Sequence, residues 1–113
     1  TSLSSTATNY VALGAFVNAN ESLVQQVMPV AGSLSNFYVR LSTSPGTGNS
    51  YTFVVRKNGV SSTTVTCSIT GNLTSCSDLT LSESFAAGDL LSIMVTPNSN
   101  PTGATMVWSA TFN

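Results

Sequence analysis

Hydrophobic and polar residues alternate along several short stretches of this chain, and no stretch sustains a helical period. In "LSNFYVRLS", Phe37, Val39 and Leu41 fall toward a core while Tyr38 and Arg40 face away. Leu34 has the opposite parity, which predicts a bulge or a late strand start between it and Phe37. "YTFVVRK" sets Tyr51, Phe53 and Val55 on one face, and "LLSIMVT" does the same with Leu91, Ile93 and Val95. In "TMVWSATF", Met106, Trp108, Ala110 and Phe112 share one side, leaving Thr105, Val107, Ser109 and Thr111 on the other. Asn58-Gly59 stands between two such runs, where a two-residue type I′ turn needs positive φ at both positions, so a hairpin is expected there.

Turn-forming clusters separate these runs, among them "SPGTGNS", "TGNLTS", "AAGD" and "PNSNPTG". Strands are expected over 10–16, 23–28, 34–42, 51–57, 60–67, 79–85, 90–96 and 105–112. Eight short strands in 113 residues imply a single all-β domain, an antiparallel β-sandwich. Residues 1–9 read as a Ser/Thr-rich flexible lead-in or arm, with the domain occupying 10–113. The chain begins at Thr1 without Met, so a leader, a pro-segment or a larger parent protein is compatible with it.

Composition narrows the function. Charged residues make up only 6% of the chain, against 42% hydrophobic, so hydroxyls and amides rather than ions must make the surface polar. Ser and Thr together form about a third of the chain, and β-branched Thr suits strands. Three cations, Arg40, Arg56 and Lys57, and a net charge of −1 leave little counterion release to drive nucleic-acid binding. No apolar run approaches the roughly 20 residues of a membrane span, so membrane insertion is not expected.

Catalysis finds little support. Histidine is absent, which removes Ser-His and Cys-His nucleophile systems. A carboxylate pair would have to come from Glu21, Asp78, Glu83 and Asp89, all beside turns, where acids serve as turn formers or solvated charges. Lys57, the one conceivable base for a serine, opens the Asn-Gly turn and reads as a solvated turn lysine. Calcium would need more oxygens than Asp78 and Glu83 supply, and two cysteines without histidine cannot complete a zinc site. No catalytic, cofactor or metal residues are therefore assigned.

Cys67 ends an alternating strand and Cys76 follows a Thr-Gly-Asn turn, so the chain can fold back to bring them within disulfide range. A bridge is favoured over two reduced, buried thiols, and it would imply an oxidising compartment. Sequons stand at Asn20 and Asn72 in expected loops, compatible with glycosylation without arguing for it. Tyr38, Arg40 and Val107 face outward and form a candidate interface, and the scarcity of charge leaves edge strands poorly protected against self-association.

The ordered set "MPVAGSLSNFYVRLSTSPGTG", "YTFVVRKNG", "TCSITG", "CSD", "SFAAGDLLSIMVTP" and "WSATF" resembles the small jelly-roll domains of phage fibres, virion surface proteins and bacterial collagen-like proteins. Their fold is similar to the trimeric tumour-necrosis-factor and C1q heads. The likeness spans about residues 28 to 112. It implies an eight-stranded jelly roll, a turn at Gly88 and Asp89, a staple at Cys67 and Cys76, and a non-catalytic homotrimer at a virion or cell surface. Such a module would serve as capsid decoration, spike or fibre head, with capsid or fibre proteins as partners and a role in assembly or host attachment. Two other readings remain. One is a lectin-like module using Tyr38, Trp108 or loop residues near Asn49 and Asn98 on a cell-surface glycan. The other is an extracellular filament subunit whose N-terminus donates a strand.

Overall fold

The computed structural model describes residues 3–11 and 17–113, and for residues 61–64 the backbone alone. Among the described residues ten strands follow one another: β1 (Asn9–Val11), β2 (Val17–Asn18), β3 (Gln26–Val27), β4 (Gly32–Leu41), β5 (Gly46–Lys57), β6 (Val60–Gly71), β7 (Ser75–Asp78), β8 (Glu83–Phe85), β9 (Leu90–Asn98) and β10 (Met106–Phe112). One antiparallel sheet has the order β2-β1-β9-β5-β6, with β3 also pairing β9. The other has the order β10-β4-β7, with β8 pairing the opposite end of β4. The two sheets pack as a sandwich around a core that draws Phe37, Val39 and Leu41 from one and Tyr51, Phe53, Val55, Ile93 and Val95 from the other. Burying these alternating faces is the main stabilising term.

The long strands follow the expected periodicity except at the end of β10, where Phe112, expected beside Met106, Trp108 and Ala110, is 40% exposed. In β4 the bulge falls where parity breaks: Ser109 pairs with Tyr38 and Thr111 with Ser35, so Asn36 and Phe37 oppose Ala110 alone. Asn36 takes φ +51, a left-handed conformation that Asn tolerates better than most residues. The β5–β6 hairpin turns at Asn58 (φ +54) and Gly59 (φ +77), as the type I′ expectation requires.

The weaker expectations are corrected. Over 23–28 the chain forms a short 3-10 turn at Glu21–Leu23 and only a two-residue strand, and Leu23 is exposed. Asp78 breaks the strand expected over 79–85. Its Oδ1 accepts from the backbone N–H groups of Thr80 (3.2 Å) and Leu81 (3.1 Å), which bends the chain and leaves Leu79 and Leu81 exposed. Instead "SCSD", without an apolar pattern, becomes β7 by pairing with β4 from Phe37 to Arg40. Most of the strand expected over 10–16 lies outside the described residues. Within the lead-in, Leu3 is buried in the core, its N–H donating to the Ala104 carbonyl, and Asn9 begins β1.

Cys67 and Cys76 form a disulfide, Cα atoms 5.8 Å apart. It joins β6, an edge of the first sheet, to β7, an edge of the second. Both cysteines pack partly buried against the core, so the bridge closes one open side of the sandwich.

Candidate functional site

The outer face of the smaller sheet gathers the outward residues of β4, β7 and β10. Register places Val107, Arg40 and Ser75 in one row across three strands, and Ser109, Tyr38 and Ser77 in the next. Directly opposed residues have Cβ atoms about 5 Å apart. All three expected interface residues, Tyr38, Arg40 and Val107, thus share one patch. Tyr38 is 48% exposed and Val107 60%. A shallow depression of about 320 Å³ opens among Tyr38, Arg40, Ser75, Val107, Trp108 and Ser109, and a second of about 170 Å³ adjoins it beside Arg40, Val107, Ser42 and Thr105. The patch is bounded by β10, which carries no charged residue and, among the described residues, pairs only with β4.

Arg40 is the sole charge on these rows, and among the described residues it has no ion-pair partner. The four carboxylates are engaged elsewhere. Glu21, on the 3-10 turn, is gripped by Arg56, with Nε–Oε2 at 2.7 Å and Nη2–Oε1 at 3.0 Å, and accepts from Ser92 Oγ at 2.6 Å. The Arg56 hydrogen bonds hold the Glu21 carboxyl below its ordinary range against the opposing effect of burial. Arg56 also lies 5.5 Å over the Tyr10 ring. Glu21 is therefore no solvated turn acid but a clip that fastens the 18–28 segment to the outer face of the larger sheet.

Asp78 is buried, which opposes ionisation, but N–H groups of Leu81, Thr80 and Thr66 keep its carboxyl below the usual range. Asp89 is likewise lowered, by Asn58 Nδ2 at 3.0 Å and the Ala86 N–H at 2.8 Å. Asn58 Oδ1 accepts from the Leu90 N–H at 2.9 Å, so the Asn58-Gly59 hairpin interlocks with the Gly88-Asp89 turn, where Gly88 has φ +91. Lys57 is not simply solvated. Its Nζ donates to the Ser84 carbonyl at 2.9 Å, approaches Glu83 Oε2 at 3.5 Å and lies 5.9 Å from the Phe85 ring centre, tying β5 to β8 across the sandwich.

Of the residues named for a lectin-like module, Tyr38 and Trp108 both line the larger depression, while Asn49 and Asn98 lie elsewhere. Trp108 turns inward, its ring 6.1 Å from Phe37. Asn98 donates to Ser50 and Thr52, and Asn49 to the Pro45 carbonyl, all on the larger sheet or its loops. Of the sequons, Asn20 is occupied as the cap of the 3-10 turn, accepting from Ser22 N–H and Ser22 Oγ, while Asn72 is exposed between the bridged strands. The Glu21–Arg56–Ser92 cluster left no local signal in the sequence. It depends on the β5–β9 register, which sets Arg56 opposite Ser92. Compared with known protein families, curated proteins and solved structures, the chain matches none.

Proposed function

We propose that this domain is a non-catalytic structural and interaction module, a jelly roll that assembles as a homotrimer on a virion surface. There it acts as capsid decoration, spike or fibre head and contributes to assembly or attachment. The observation that carries the reading is the patch on the smaller sheet. Tyr38 and Val107 present apolar surface beside a single charge, next to an uncharged edge strand. Self-association buries such a surface, and cyclic symmetry closes it.

Further support comes from topology and chemistry. Strand orders β1-β9-β5-β6 and β10-β4-β7, with the chain passing between sheets at most connections, suit a jelly roll. Glu21, Asp78 and Asp89 accept hydrogen bonds within the chain that favour the charged carboxylate, which suits structural roles better than proton transfer. The disulfide fits an oxidising, extracellular setting. No described helix is long and apolar enough to cross a membrane. A strand-accepting role in a filament draws on the open edge of β10, and Val107 separates the two readings. Val107→Glu should turn trimers into folded monomers in size-exclusion chromatography with light scattering. Polymers that persist in Val107→Glu would favour the filament, and unchanged trimers would remove this face from the assembly.

A further inference from the structure

Asn58-Gly59 is the chain's only Asn-Gly pair, and it is chemically labile as well as a turn former. Glycine, with no side chain, leaves its own amide nitrogen unhindered, so that nitrogen can attack the preceding asparagine side chain. The Gly59 nitrogen bonds to Asn58 Cγ, its N–H proton is lost, and the Cγ–Nδ2 bond breaks to release ammonia. Water then opens the resulting succinimide ring at either carbonyl. One product is aspartate, and the other is an isoaspartate linkage that adds one methylene to the main chain. Water is the only co-reactant. The folded chain opposes this chemistry by holding Asn58 with three hydrogen bonds. Its backbone N–H donates to the Leu90 carbonyl at 2.8 Å, Oδ1 accepts from the Leu90 N–H at 2.9 Å, and Nδ2 donates to Asp89 Oδ1 at 3.0 Å. Gly59 is held as well, its carbonyl accepting from Arg56 Nη2. Ring closure must rotate the Asn58 carboxamide toward the main chain, which breaks both side-chain bonds.

We propose that Asn58 is a spontaneous modification site, kept as the amide by its contacts with Asp89 and Leu90, whose conversion irreversibly releases the β5–β6 hairpin from the Gly88-Asp89 turn. The product has lost the Nδ2 donor and sets a second carboxylate where the two side chains now meet at 3.0 Å. Like charges that close repel even in water. The isoaspartate product also lengthens a two-residue loop whose φ values of +54 and +77 suit a type I′ turn. Conversion therefore unlocks two turns at one end of the sandwich, and ammonia loss makes the change one-way. The inference holds for the single chain and does not rest on the homotrimer reading.

Peptide mapping by mass spectrometry tests this on the oxidised chain, incubated in mildly alkaline buffer with and without urea. The two side-chain hydrogen bonds should slow amide-to-acid conversion at Asn58 by about thirtyfold in the folded chain relative to the urea-unfolded one. Asp89→Ala, which removes the partner of Nδ2, should convert faster than the wild type while still folded. Equal rates in folded and unfolded wild type, or no acceleration in Asp89→Ala, would overturn the guarding role. Asn58→Asp reproduces one product and should lower Tm. Adding Asp89→Asn should restore more stability to Asn58→Asp than it gives the wild-type chain, because only there does it remove a like charge. An Asn58→Asp chain as stable as the wild type, or strictly additive effects of the two substitutions, would overturn the release.

Discussion

Removing the Cys67–Cys76 bridge is the perturbation whose size the structure sets most directly. The cysteines are 9 positions apart and tie edge strands of opposite sheets, so the cross-link restrains a short loop of the unfolded chain. On the chain-entropy relation, a ten-residue loop contributes about 2.7 kcal/mol at 25 °C. For 113 residues, the usual unfolding entropy makes 1 kcal/mol worth about 4 °C in Tm. Cys67→Ala/Cys76→Ala should therefore melt about 11 °C below the oxidised wild type. Differential scanning calorimetry reads this, at a concentration where both proteins have the same oligomeric state. Full reduction of the wild type should lower Tm by a similar amount, since the cysteines are only partly buried and their packing loss is small. A shift under 2 °C would refute the reasoning, showing that the bridge neither restrains the unfolded chain nor holds the two sheet edges together.

Three further outcomes follow from neighbouring features. Phe37→Ala should cost about 3–5 kcal/mol in urea unfolding of the dissociated chain, whereas Tyr38→Ala, one residue along and facing outward, should stay within about 0.5 kcal/mol. Asn58→Ala should lose about 1–2 kcal/mol from its left-handed backbone alone, and Asn58→Gly should recover that part; an equal loss in both would assign the effect to the contacts with Asp89 and Leu90. Glu21, Asp78 and Asp89 all have folded pKa values below their ordinary ones. Their contribution is fully present above the unfolded carboxylate range, near pH 4, and is lost as pH falls through the lower folded values. The urea midpoint should thus fall in acid, and Asp78→Asn should flatten that fall.

What the sequence reveals about this fold depends on whether a strand's own side chains specify it. Residues 37–41, 51–57, 91–95 and 106–110 alternate by themselves because one face of each meets the core, so their parity, and the outward direction of Tyr38, Arg40 and Val107, can be read directly. Asn58-Gly59 is legible because the turn chemistry is local. β7 is not, since "SCSD" has no apolar pattern and becomes a strand through β4 and the disulfide. The same applies to Glu21 and Arg56, whose pairing across 35 positions follows from where the 18–28 segment lands on the sheet. The patch lies between these cases. Its members can be named from parity, but their adjacency needs the β4–β10 and β4–β7 registers.

The mass of the native particle in dilute solution tests the central claim most directly. Analytical ultracentrifugation of the oxidised chain in phosphate buffer should give about 35 kDa, three copies of an 11.7 kDa chain. A single species at 11.7 kDa, unchanged as concentration rises, would contradict it.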